Sequence, residues 1–231
     1  TEQALTAHHH DLLAQALRVL ADPVARKEIE VPVRLLERAI GAVDPVALRS
    51  KDADPWLYFY EDFLAAYDPK LRNDRGVYYT PVQVVEAQVR LTAEILRTRF
   101  GKALDFADDG VTVLDPALGT GTYLLAALRH GLDQARRRYG EGALAGRATQ
   151  AASNLHGFEI LVGPYAVARL RFAQQVYEAH GDLPADGALI YLTDTLESPF
   201  SAVETQMQQV LLYKRLAEEH RRAQDVKLHT P

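Results

Sequence analysis

The 231-residue chain sets 31 Asp and Glu against 26 Lys and Arg, a net charge of −5, with 48% hydrophobic and 25% charged residues. Those proportions describe a folded chain long enough for a sizeable core, excluding disordered and fibrous classes and giving no bulk attraction to nucleic acid. Without cysteine there are no disulfides, zinc fingers, iron–sulfur clusters or thiol nucleophile, which fits a reducing cytoplasm, and no apolar run or leader layout points to a membrane partner.

Residues 1–75 read as a helical region punctuated by proline. Leu5, Leu12, Leu13, Ala16, Leu17 and Leu20 recur at helical spacing and predict one amphipathic face. Asp22-Pro23, Asp44-Pro45 and Asp54-Pro55 each set a capping carboxylate before a proline suited to the first helical turn. Trp56, Phe59, Phe63 and Tyr67 follow on roughly one stripe, as in a small bundle packing on something else. His8-His9-His10 is no metal set, because adjacent residues on a helix point in different directions.

Polar residues from Asp68 to Gly76 mark a boundary, and the texture then changes over 76–231. Short apolar runs at Val111–Leu114, Leu155–Phe158 and Ala188–Leu192 alternate with helical patterns near 81–100, 121–138, 164–180 and 202–224. Strand–helix alternation of this kind predicts an α/β fold with an open parallel sheet and crossover helices.

The sharpest feature is Val113-Leu114-Asp115-Pro116-Ala117-Leu118-Gly119-Thr120-Gly121-Thr122, a strand running into a glycine turn and directly into a helix. Gly119 and Gly121 permit a tight turn and close backbone approach to a ligand, and the helix N-terminus presents unpaired N–H groups. No Gly-Lys-Ser/Thr follows, which excludes a P-loop. A dinucleotide fingerprint fits poorly: Leu124 stands at the third glycine position, and the next strand-end acid, Glu159, lies more than twice the expected ~20 positions onward. Glu159 and Asp194 follow the second and third apolar runs. Either alone reads as a helix cap or a solvated loop residue. Three aligned strand ends predict one crevice, since ligands of open α/β sheets lie at the carboxyl ends of the strands. An acid after the second strand can accept from ribose hydroxyls, and one after the third from the exocyclic amine of adenine.

On these residues the chain resembles the S-adenosylmethionine-dependent adenine-N6 DNA methyltransferases of restriction–modification systems, in particular the type I, IIG and ISP-like group. Gly76-Val77-Tyr78-Tyr79-Thr80-Pro81 matches the family's segment before the sheet, and Asp115-Pro116-Ala117-Leu118-Gly119-Thr120-Gly121 matches its glycine turn. The resemblance covers about residues 75–200. It implies a partial Rossmann-like sheet of about three parallel strands and S-adenosyl-L-methionine as cofactor. The cofactor would be held by Tyr78, Tyr79, Thr80, Pro81, Asp115, Pro116, Ala117, Gly119, Thr120, Gly121, Glu159, Ile160, Asp194 and Thr195. Thr80 and Gln83 also have capping-box spacing with Pro81 at the first helical position, so these residues start a helix whatever their function.

The family's Asn/Asp/Ser-Pro-Pro-Tyr/Phe, which holds the flipped base, has no counterpart: the chain contains no Pro-Pro, and Ser198-Pro199-Phe200 is a poor echo. The tail Val226–Pro231 lies where the family's fourth strand would begin. The expectation is therefore a cofactor-binding half over 76–231, behind a helical region over 1–75, with no catalytic residues of its own. Its partners would be the remaining methyltransferase half, a target-recognition domain and, through the full-length parent, double-stranded DNA. A non-catalytic helical interaction module with a vestigial nucleotide-binding half is the alternative. Amino-group methyltransferases acting on RNA or protein glutamine share the glycine turn, but Tyr78–Pro81 leans towards DNA. Cytosine C5 chemistry would need a cysteine nucleophile.

Overall fold

A three-stranded parallel sheet in the order β1-β2-β3 organises the chain: β1 is Val113–Asp115, β2 Leu155–Glu159 and β3 Ile190–Leu192. The computed structural model describes residues 11–42, 80–200 and 211–229. Asp44-Pro45, Asp54-Pro55, the aromatic stripe from Trp56 to Tyr67, His8–His10, the Asp68–Gly76 loop and Gly76–Tyr79 lie outside those residues. Val113 pairs with Leu155 and Asp115 with Gly157, while Gly157 pairs with Ile190 and Glu159 with Leu192. Strands β2 and β3 thus end level at Glu159 and Leu192, while β1 stops opposite Gly157, two residues before the end of β2. Strands β1 and β3 are shorter than their runs, while β2 extends one residue beyond its run to Glu159, because pairing across β2 sets where each ladder starts and stops.

Before the sheet come α1 (Asp11–Ala21), α2 (Pro23–Gly41) and α3 (Val82–Phe100). Helices α4 (Thr122–Tyr139) and α5 (Leu144–Ala152) join β1 to β2, α6 (Val162–Glu178) joins β2 to β3, and α7 (Leu211–His229) follows. The Asp22 carboxylate caps α2, accepting from the Val24 N–H at 2.9 Å and the Ala25 N–H at 3.3 Å, with Pro23 opening the helix as expected. The capping box at Thr80 does not form. Pro81 itself is the N-cap residue, with ψ of 133° in the extended region and no side-chain cap bond, so the helix begins one residue later than the spacing suggests. Helix α5 was not expected; Gly140, Gly142 and Gly146 interrupt its pattern, yet Leu144, Ala148, Ala151 and Ala152 form its buried face. The last helix runs on to His229, so residues 226–229 are helical where the resemblance would begin a fourth strand.

Period-two alternation sorts the sheet's side chains into two layers. Leu155 and Ile190 face Leu124, Leu125 and Leu128 of α4 and Tyr165, Phe172 and Val176 of α6 in the main core. Phe158 and Tyr191 face the other way, packing edge to face at 6.1 Å and against Ala223 of α7. Helix α7 also packs on α1, which ties the helical N-terminal region to the sheet. Central β2 is buried along its whole length, whereas Leu114 on β1 remains 42% exposed.

Two polar knots fasten helices at the rim. The fully buried Asp105 accepts from the Phe106 N–H at 2.7 Å and reaches His130 of α4 at 3.1 Å and Arg97 of α3 at 3.6 Å. Burial pushes its carboxyl pKa up, against the opposing pull of the Phe106 amide, His130 and Arg97. Arg169 of α6 donates to the Ile190 carbonyl at 3.1 Å and pairs with Glu219 of α7 at 3.4 Å, joining the two layers at β3.

Gly157 controls how closely the glycine turn lies on the sheet. A Cβ there would sit 2.8 and 2.9 Å from the Leu118 methyls and 3.1 Å from Leu124 Cδ1, and both leucines are buried, so their side chains must shift within the core. Gly157→Ala should therefore lower stability by about 1–3 kcal/mol through overpacking. Urea denaturation checks this, and an unchanged midpoint would show that the turn can shift freely.

Candidate nucleotide-binding crevice

At the carboxyl ends of the strands, backbone geometry brings three loops together. The Leu118 N–H donates to the Phe158 carbonyl at 2.9 Å, laying the first loop across the end of β2. The Gly119 N–H then donates to Glu159 Oε2 at 2.8 Å, while Glu159 Oε1 accepts from the Leu161 N–H at 2.7 Å. From the third loop, the Thr193 N–H donates to the Glu159 carbonyl at 2.9 Å, and the Thr195 hydroxyl donates to the Pro116 carbonyl. Asp115–Gly121, Glu159–Ile160 and Asp194–Thr195 thus form one connected rim.

The glycines are needed where they stand. Gly119 has φ of +57° and Gly121 +85°, the left-handed region that disfavours side chains, and Gly121 is the N-cap of α4. A Cβ on Gly121 would also press on Ala168 Cβ at 3.3 Å. Beneath the turn, Arg171 of α6 donates to the Thr120 carbonyl at 2.8 Å. Burial lowers its pKa to about 10, so the guanidinium stays charged at neutral pH.

Each acid has a distinct setting. Asp115 Oδ1 accepts from the Ala117 N–H at 3.1 Å, but Oδ2 is buried without a partner among the described residues. Burial raises its pKa, and the nearby Glu159 charge raises it further. Glu159 is only 9% exposed, with one N–H on each oxygen, leaving a second lone pair on each. Asp194 is exposed, with Oδ1 accepting from the Leu196 N–H at 2.9 Å, and Ile160 is 44% exposed beside Glu159. Thr80 is half-buried and Pro81 exposed at the start of α3, a helix joined to the first turn of α4 by the Tyr123 hydroxyl on Gln88 at 2.5 Å. Tyr78 and Tyr79 lie outside the described residues.

Two contributors to this rim have no local sequence signal. Arg171 reaches Thr120 across 51 positions, and Lys227 of α7 reaches the Asp194 carbonyl across 33. Only the packed helices reveal them.

These groups fit a small cationic nucleoside-like ligand. They offer a glycine turn whose left-handed backbone keeps side chains away, an orphaned carboxylate oxygen and three acids with free acceptor capacity. Because the folded-state pKa of Asp115 lies above its usual 3.8, Asp115 is least costly to stability below that value, and the stability is lost as pH rises through the raised folded value. Asp115→Asn should accordingly stabilise the free protein at pH 7, with the gain shrinking as pH falls towards 4. Denaturation midpoints at several pH values read this, and a pH-independent difference would contradict it.

Known proteins share the sequence pattern and the fold of this chain. Residues 52–219, well over half of the chain, match the model of the N-6 DNA methylase family. A search of curated protein sequences found no match. Among solved structures, the chain is similar to one in the cryoEM DrdV–DNA complex, at 25% identity and TM-score 0.61, covering 96% of this chain and 21% of that one. It shares its fold with LlaBIII, an ATP-dependent type ISP restriction–modification enzyme bound to DNA, at 24% identity and TM-score 0.52 over 90% of this chain and 14% of that one. A nuclease-deletion mutant of the type ISP enzyme LlaGI, in complex with a DNA substrate mimic, gives 22% identity and TM-score 0.50 over 90% and 17%. The chain therefore spans about a fifth or less of these solved relatives. With its glycine turn and strand-end acids inside the matched region, the chain belongs to the N-6 DNA methylase family.

Proposed function

We propose that the chain is the S-adenosylmethionine-binding half of an adenine-N6 DNA methyltransferase in a restriction–modification enzyme. The observation that carries this reading is the single rim formed by the glycine turn, Glu159 and Asp194 at the carboxyl ends of three adjacent parallel strands. Family membership supports the reaction class, and the restriction–modification context is taken from LlaBIII and LlaGI, whose fold the chain shares, with DNA binding suggested also by the DrdV–DNA complex.

The electrostatics favour this cofactor over a dinucleotide. Asp115, Glu159 and Asp194 set carboxylates around the crevice, a field that repels a pyrophosphate and attracts a sulfonium. Bound there, the cofactor supplies an electrophilic methyl group. Glu159 has lone pairs for ribose hydroxyls, Asp194 an exposed carboxylate oxygen for the adenine amine, and Ile160 an apolar flank for the purine. Asp115, Pro116, Ala117, Thr120 and Thr195 shape and hold the turn, while Tyr78, Tyr79, Thr80 and Pro81 are assigned to the methionine end on family resemblance alone. Residues 1–75 form the helical annex and 76–231 the cofactor half, in a cytoplasmic enzyme.

Duplex DNA, a second methyltransferase half and a target-recognition domain are the partners of the whole enzyme in this reading. Net −5 gives the chain no attraction of its own for phosphates, and Arg136–Arg138 is too small a cluster to reverse that. With no Pro-Pro turn to hold a flipped adenine, the chain alone should bind the cofactor weakly and methylate nothing.

Titration calorimetry with S-adenosylmethionine tests binding. Gly119→Val forces a β-branched side chain into the left-handed region and should weaken binding at least about tenfold while leaving helical content unchanged. Unaltered affinity would remove the turn from the site, and no binding by the unmodified chain would favour the vestigial interaction module. A radiolabelled-methyl transfer assay on mixed-sequence duplex DNA should stay at background. Transfer that disappears in Asp194→Ala would instead make the chain a complete enzyme.

A further inference from the structure

The loop after β3 is held from behind by a residue of a different layer. Lys227, in the last turn of α7, donates to the Asp194 carbonyl at 2.6 Å, the Glu197 carbonyl at 3.0 Å and the Thr193 hydroxyl at 3.4 Å. Those three bonds use the three donors of its ammonium group. The same nitrogen stands 5.7 Å over the ring of Phe158, the residue before Glu159. In front, the Thr195 hydroxyl fastens the loop to the Pro116 carbonyl, and Leu196 turns back onto the Asp194 carboxylate at 2.9 Å. His220, two turns earlier on α7, faces Glu197 at 3.7 Å.

We propose that Lys227 is the positioning residue for nucleobase selection. By clamping the backbone on both sides of the 194–197 turn, it fixes where the exposed Asp194 carboxylate stands. Local turns cannot do this alone, because the Asx turn from Asp194 to Leu196 moves with the loop, whereas α7 is anchored on β3 and α1. A carboxylate that must meet one exocyclic amine tolerates only small displacement, since hydrogen-bond strength falls steeply with distance and angle. The inference rests on the cofactor reading above and extends it to a residue that touches no cofactor.

The test compares binding of S-adenosylhomocysteine with that of S-inosylhomocysteine, which carries a carbonyl where adenine has its amine. The unmodified chain should prefer the adenosyl compound roughly tenfold to a hundredfold, the range set by one hydrogen bond to a charged acceptor. Lys227→Met keeps the length and the contact with Phe158 but removes the donors, and should bring that preference to within about threefold of unity. Lys227→Arg should keep most of the preference, and adding Asp194→Ala to Lys227→Met should change the ratio no further. A purely structural role would weaken both ligands equally and leave their ratio intact. That result, or full preference in Lys227→Met, would overturn the proposal. No binding of either ligand by the unmodified chain would defeat the cofactor reading itself, and the role of Lys227 with it.

Discussion

The hydrogen bond from the Gly119 N–H to the Glu159 carboxylate joins the first strand's loop to the second strand, and the crevice depends on it. It forms because β1 stops opposite Gly157, so that its loop can cross the last two residues of β2, and because nothing larger than hydrogen stands on Gly157 under Leu118. With the turn drawn onto β2, Thr195 can reach Pro116, and the third loop joins the same rim. Without it, the Glu159 carboxylate would not be tied to the glycine turn, and the loops would be joined only by the backbone bonds of Leu118 and Thr193 and the Thr195 hydroxyl.

A bond between a backbone amide and a buried carboxylate is strong in a dry setting, because each group would be costly to leave unpaired. Its geometry also commits Glu159. Its carboxylate is a structural acceptor in the free protein and keeps only its second lone pairs for a ligand. Asp115 is the complementary case, with one oxygen buried without a partner among the described residues and a raised pKa. One acid holds the site together while its neighbour carries a polar group in want of a donor. Such tension is what a binding crevice stores before its ligand arrives.

Much of this was legible in the sequence because it is local. Alternating apolar runs gave three parallel strands, Asp22-Pro23 gave a true cap, and the glycine turn announced its own backbone. The failures are equally physical. Thr80 has cap spacing, but Pro81 takes an extended ψ and occupies the cap position itself. Three glycines hide α5, whose buried face is mostly alanine and too weakly apolar to stand out. Arg171 and Lys227 act across chain separations that leave no periodic trace. The glycine turn, Glu159 and Asp194 could therefore be placed at strand ends from the sequence, but not the residues that hold their loops in shape.

The central claim is that the three loops form one cofactor crevice, and amide chemical-shift mapping with S-adenosylhomocysteine tests it most directly. The account predicts perturbations concentrated at 115–121, 159–161 and 193–197, with residues of α2 unmoved. Perturbations confined to the helical N-terminal region, or to one loop without the other two, would contradict it.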